Sequence, residues 1–249
     1  MIELSSIQQT FNRGKPNEVV ALNGIDLHIA QGEFVVIVGS NGSGKSTLLN
    51  IISGSIQTTA GTISIDGKIV NKLPDYQRSK WIARVFQNPL SGTAPDLSIL
   101  DNFRLAALRT RKKGLSIGVN DAFNQRVKDN IATLNMGLEN KVNQPMGTLS
   151  GGQRQALTLL MSVMDDCKIL LLDEPTAALD PRSADLVMKT ADKLVKDFKL
   201  TSILITHNLK DAFIYGNRII QMAEGKIIHD KDSAAKAQLK QTDLFEWFA

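Results

Sequence analysis

The stretch GSNGSGKST (residues 39–47) lies between the apolar run FVVIV (34–38) and a helical pattern, STLLNIIS. With Gly39, Gly44, Lys45 and Ser46 it satisfies G-x-x-x-x-G-K-[ST] in the strand-to-helix setting which that motif requires. Glycines let backbone N–H groups turn inward around phosphate oxygens, and Lys45 adds a mobile positive charge. The Ser46 hydroxyl is placed to coordinate Mg²⁺. Residues Gly39, Ser40, Asn41, Gly42, Ser43, Gly44, Lys45, Ser46 and Thr47 are therefore expected to form a nucleoside-triphosphate site.

Three more runs resemble FVVIV: IARVF (82–86), ILLL (169–172) and SILIT (202–206). Continuously apolar runs of this length suit parallel strands buried on both faces. Helical patterns separate them, notably over 153–164 and 182–198; Asp180 and Pro181 open the second as N-cap and first helical residue. The first seventy residues alternate instead, and Asp66-Gly67 marks a hairpin turn. The expected fold is α/β: a mostly parallel core sheet beside an antiparallel β layer from the N-terminal strands. Strand signals fade between Asn88 and Thr148, so 88–148 is read as a helical subdomain inserted into a single domain, with 1–87 and 149–249 as its core.

Polar residues stand at the ends of these buried runs, where α/β sheets place their ligands. ILLLDEP (169–175) ends in Asp173, suited to hold Mg²⁺ through water, and Glu174, suited to polarise an attacking water. Gln87 closes IARVF and His207 closes SILIT, and both are read as functional. A guanine-specific site is excluded by spacing, since NKLPD (71–75) has its aspartate one place too late for N-K-x-D. Phe11, expected in a loop after the first strand, can stack on a purine, which fits ATP.

LSGGQRQALTLLMSVM (149–164) sets a serine and two glycines before an apolar helix. Ser150 and Gln153 have capping-box spacing. A cap needs one such serine; the paired glycines point to close approach of an anion at the helix N-terminus.

Together these residues resemble the nucleotide-binding domain of ABC transporters over nearly the whole chain. The order is the same: A-loop aromatic (Phe11), Walker A (39–47), Q-loop (Gln87), signature LSGGQ (149–153), Walker B (169–174), D-loop (Asp180) and H-loop (His207). The resemblance implies two ATPase chains, identical or homologous, packed head to tail. Ser150, Gly151, Gly152 and Gln153 of one would serve the γ-phosphate held by the other. It further implies that Gln87 senses Mg²⁺ and the nucleophilic water and links them to a membrane subunit. His207 would contact the γ-phosphate, and Asp180 would act across the dimer interface. Many members continue the signature helix with an Ala-Arg-Ala-Leu run and place a Pro before Walker B; this chain has LMSV (160–163) and Cys167 there.

LSGGQRQALTLLM and THNLKDAFIYGNRIIQM look most like ATPases of bacterial uptake systems, which work with a separate permease and a substrate-binding protein. Some of those are linked to amino acids, including aromatic ones. An exporter subunit and a soluble ABC ATPase, such as those serving iron–sulphur assembly, stay open as alternatives.

Bulk properties agree with this reading. The 249 residues are 43% hydrophobic and 22% charged, with a net charge of +4, too mild to argue for nucleic acid. One cysteine fits a reducing compartment. No apolar run reaches the ~18 residues of a membrane span, and the first ten residues lack signal-peptide character. The expected location is the cytoplasmic face of the inner membrane, reached through the permease. The basic cluster RTRKK (109–113) is read as a solvated helix end or loop, with lipid headgroups as the alternative contact. The tail from Lys231 onward is expected to form one short amphipathic helix.

Overall fold

Alternating burial shapes the start of the chain. β1 (Ile2–Phe11) buries Ile2, Leu4, Ile7 and Gln9 on one face. β2 (Val19–Ile29) pairs with it antiparallel, and the register shifts between Leu4 and Ile7. There Ser6 takes a φ of 49° and donates its N–H to Asp26 Oδ1 at 2.7 Å. β3 (Phe34–Val38) is buried at every position and leads through the glycine-rich loop into α1 (Lys45–Ser53). β4 (Ala60–Ile65) returns antiparallel to β1 and pairs with β5 (Lys68–Ile69). Asp66 and Gly67, at φ 51° and 71°, make the turn between them in the left-handed conformation that tight hairpins need. The expected antiparallel layer is thus present, in the order β2-β1-β4-β5.

α2 (Asp75–Arg78) ends on a buried arginine. Arg78 donates to the carbonyls of Ile51 and Ile52, the last turn of α1, and to those of Val70 and Leu73. A helix end that no water reaches needs such donors. The phosphate-loop helix is thereby closed at its far end.

β6 (Ile82–Val85) follows, then α3 (Ile99–Ala106), α4 (Asp121–Ala132), α5 (Gly151–Ser162), β7 (Ile169–Asp173) and α6 (Pro181–Asp197). β6 and β7 pair in parallel, Ile82 with Ile169 through Val85 with Leu172. Short 3-10 turns at Leu138–Asn140 and Met146–Thr148 link α4 to α5.

The chain then adds β8 (Thr201–Ile205), α7 (Leu209–Ile214), β9 (Arg218–Ala223), β10 (Lys226–Lys231), α8 (Ser233–Gln238) and α9 (Gln241–Glu246). β3 lies between β8 and β9, parallel to both, and β10 is antiparallel to β9. Each Ile, Leu or Val side chain buried in these strands contributes about 1.5–3 kcal/mol.

The computed structural model describes residues 1–109 and 120–247 and resolves into two compact units. One comprises Met1–Arg78 with Lys199–Ala249, the other Ser79–Phe198. All of the basic cluster but Arg109 lies outside the described residues. No helix among the described residues is long and apolar enough to cross a membrane.

Two local expectations differ from what forms. Phe11 is the last residue of β1, paired with Val19, because the turn starts one residue later at left-handed Asn12. The tail makes two short helices, since Leu239 is extended and the Asp243 carboxylate accepts from the Lys240 N–H at 2.8 Å, capping a new helix.

Candidate functional site

In the first unit the phosphate loop is built on glycines in conformations that other residues rarely adopt, and two of them leave no room for a side chain. Gly39, Gly42 and Gly44 have φ of 150°, 82° and 99°. A Cβ at Gly39 would lie 2.1 Å from the Met222 carbonyl oxygen, and one at Gly44 2.5 Å from that of Ala21. Lys45 Nζ donates to the carbonyls of Gly39 and Ser40, each at 2.8 Å, so the ammonium sits over the loop. α1 begins without a side-chain cap and without an acidic residue in its first turn. A helix start of that kind attracts an anion.

His207 lies just beyond β8. Because β3 and β8 run parallel with Ile37 beside Ile205, the phosphate loop and His207 leave the same edge of this strand pair. Asn208 beside it caps α7 by accepting from the N–H groups of Lys210 and Asp211. His207 is thus held between a strand and a capped helix.

In the second unit, Asp173 ends β7 almost fully buried. Its Oδ2 is 2.6 Å from Arg84 Nη2, and the Arg84 guanidinium lies 4.6 Å from the centre of the Phe86 ring. Glu174 follows with a φ of 46°. That left-handed conformation costs a residue with a side chain about 1–2 kcal/mol. Gln87 Nε2 lies 3.4 Å from Glu174 Oε2. Gln155, buried on α5, donates its amide to the Phe86 carbonyl at 2.8 Å and the Pro175 carbonyl at 3.1 Å.

Ser150 caps α5 with a capping box: its Oγ accepts from the Gln153 N–H, and Gln153 Oε1 accepts from the Ser150 N–H. Arg154, buried, donates to the carbonyls of Met146, Gly147 and Leu149, fixing the chain that enters the cap. The two glycines differ. A Cβ at Gly152 would stand 2.3 Å from Ser183 Oγ on α6, whereas one at Gly151 meets a side-chain carbon at 3.3 Å. Packing within the chain therefore demands Gly152, a reason that phosphate approach alone does not supply. Asp180 caps α6, accepting from the N–H groups of Arg182 and Ser183 at 3.1 Å each. Its carboxyl is held below the usual range by the Ser183 side chain and then by these amides.

The structure thus groups the predicted residues in two sets. Lys45 and its loop stand with His207 in one unit; Gln87, Asp173 and Glu174 stand together in the other. Phe11 is half-buried at the end of β1. Sequence reading missed Arg84, Gln155 and Arg154. Each is a polar residue inside an otherwise apolar strand or helix, a signal that marks a buried partner without naming it.

Comparison with known proteins agrees with these motifs. Residues 22–177 match the family model described as ABC transporter. The chain is 36% identical over 250 residues to the tyrosine transport ATP-binding protein of Clostridioides difficile, covering 100% of this chain and 98% of that protein. It is 33% identical over 243 residues to the phosphonates import ATP-binding protein PhnC of Rhizobium meliloti, covering 95% and 85%. Among solved structures it is similar to the ATP-binding cassette MJ0796, dimeric in a post-hydrolysis state with ADP and Pi. That match has a TM-score of 0.80 and 30% identity and covers 94% of this chain and 99% of that one.

Proposed function

The chain belongs to the ABC transporter family as an ATP-binding and ATP-hydrolysing subunit, and from that premise we propose that it drives solute import through a separate permease. In this reading residues 1–249 act as one ATPase domain, peripheral to the cytoplasmic face of the membrane. Two copies, or this chain and a homologue, close head to tail on ATP. The phosphonates import relative supports import, and the tyrosine transport relative supports an amino acid, aromatic among them, as the solute. A substrate-binding protein would complete the system.

The amides of residues 39–47 and Lys45 hold the triphosphate, and Phe11 stacks on the base. In this reading Mg²⁺ takes oxygen donors from the Ser46 hydroxyl, the Asp173 carboxylate and the Gln87 amide, a donor set whose chemistry suits that ion. Among the described residues no group of three His, Cys, Asp or Glu side chains could hold a metal ion by itself. A few protein oxygens with substrate phosphates supplying the rest is the usual Mg²⁺ arrangement. When bound, Mg²⁺ neutralises charge building on the phosphate oxygens. Glu174 accepts the proton of the attacking water, Gln87 orients that water, and His207 donates to the γ-phosphate.

Ser150, Gly151, Gly152 and Gln153 face the γ-phosphate in the partner's site, and Asp180 acts at the same interface. The observation that supports this reading is the start of α5, a helix N-terminus capped by Ser150 with Gly151 and Gly152 in its first turn.

The permease docks beside α3. A cleft of about 510 Å³ lies there, walled by Arg84 of β6, Gly92 and Ala94 of the following loop, Asn102 and Leu105 of α3, and Met161 of α5. Asn102 shapes its rim, exchanging hydrogen bonds with the Ala94 backbone and donating to the Leu97 and Ser98 carbonyls. Reconstitution with a permease and a substrate-binding protein in vesicles, with the ATPase facing the lumen, tests the proposal: ATP in the lumen should drive labelled amino acid inward. Outward movement would make the chain an exporter subunit. Failure to bind any permease would favour a soluble ATPase.

A further inference from the structure

Arg84 belongs to two features at once. Its Nη2 meets Asp173 Oδ2 at 2.6 Å, with the two side chains only 12% and 13% exposed. It also lines the cleft beside α3. The proposed function asks Asp173 to bind a divalent cation, yet its carboxylate already holds a cation from the same chain. An arginine is always charged, so it cannot give way by losing a proton. It gives way only by moving.

We propose that Arg84 is a positioning residue that exchanges partners: it holds Asp173 in the nucleotide-free chain and turns towards the cleft when Mg²⁺–ATP is bound. The direction follows from charge. A divalent cation brought to this carboxylate, directly or through water, repels the guanidinium already on Oδ2, while the Phe86 ring, 4.6 Å from it, stays in reach as it turns. The described residues that line the cleft include Arg84 and Arg109 and, among them, no carboxylate. A permease segment complementary to that wall presents an acidic side chain. That acid receives the released guanidinium. Docking in the cleft and metal binding at Asp173 then favour each other, as linkage through one shared residue requires.

This inference rests on the reading of Asp173 as a Mg²⁺ ligand. The test uses the full-length chain, with ATP as the probe, in EDTA and across a Mg²⁺ series. Arg84→Met should bind ATP in EDTA as wild type does, and should need about tenfold less Mg²⁺ for half of the metal-dependent gain in affinity. Arg84→Lys, which keeps the charge, should fall between the two. An unchanged Mg²⁺ requirement in Arg84→Met overturns the exchange, while absence of ATP binding by wild type under any condition overturns the ATP-site reading with it. Should Arg84→Met fail to fold, the wild-type arginine reports for itself. In arginine-labelled Glu174→Gln protein, the Arg84 guanidinium resonance should shift with Mg²⁺–ATP and not with ATP in EDTA. A resonance that stays in place overturns the proposal.

Discussion

Gln87 Nε2 stands 3.4 Å from Glu174 Oε2, joining the residue beyond the end of β6 to the residue after β7. Neither side chain fixes this geometry alone. Gln155 does so from α5, donating to the carbonyls just before Gln87 and just after Glu174. The helix that starts with the signature serine thus braces both residues proposed to handle the attacking water.

Gln155→Leu removes that brace while keeping the side chain's bulk. It leaves two carbonyls short of a donor, at a cost of about 1–3 kcal/mol in stability. Because Gln87 and Glu174 lose their relative position, kcat for ATP should fall tenfold or more with KM little changed. Steady-state kinetics at a temperature where circular dichroism shows the variant folded provides the check. A lowered melting temperature with wild-type kcat would confine Gln155 to stability.

Gly152→Ala tests why the signature has its second glycine. The added Cβ meets Ser183 Oγ and Cβ at 2.3 and 2.4 Å, so α5 must move off α6. Overpacking of this kind typically costs about 1–3 kcal/mol. Gly152→Ala with Ser183→Gly should recover most of the stability in denaturant unfolding. If ATPase activity recovers as well, packing explains the glycine; if stability alone recovers, the partner's phosphate needs the bare backbone too.

What was legible in the sequence was what local chemistry decides. FVVIV, ILLL and SILIT suit buried strands, and each forms one; Asp180-Pro181 suits a helix start, and α6 begins there. Ser150 and Gln153 announced their capping box by spacing. Contacts between distant segments were not legible. Nothing near Arg84 names Asp173, and nothing near Gly152 names Ser183, because those pairings are made by strand register and helix packing. The tail shows the same limit: its apolar periodicity reads as one helix, but Asp243 competes for the Lys240 N–H and starts another.

Lys236 gives a pH signature to the docked tail. Its Nζ, buried, donates to the carbonyls of Tyr215 and Gly216. Burial lowers its pKa from the usual 10.5 to about 8. Between about pH 8 and 10.5 the unfolded chain therefore binds the proton that the folded chain has released, and stability from this group rises with pH. Below pH 8 both states are charged and the full penalty of burying the ammonium is felt. The expected rise is on the order of 1–3 kcal/mol. Urea midpoints at pH 7.5 and 10, compared between wild type and Lys236→Met, isolate it. An identical pH dependence in the two proteins would show that the ammonium is solvated.

Glu174→Gln addresses the chemistry. The amide keeps the shape of the carboxylate and its reach to Gln87 but cannot accept a proton. Loss of a general base typically lowers a rate about 10²- to 10⁴-fold, so hydrolysis should nearly stop. ATP binding should persist, because Lys45, Ser46 and the amides of the phosphate loop are unchanged. With the γ-phosphate retained, the signature of each copy keeps its anion and the closed dimer should accumulate. Size-exclusion chromatography should then show an ATP-dependent dimer in the variant where wild type runs mostly as monomer. ADP should not support it, having no γ-phosphate for Ser150 and the start of α5 to hold. Wild-type hydrolysis by Glu174→Gln would remove Glu174 as base and leave His207 next in line. Blocked hydrolysis without a dimer would instead separate the two halves of the proposal, sparing the base and removing the head-to-tail role of the signature.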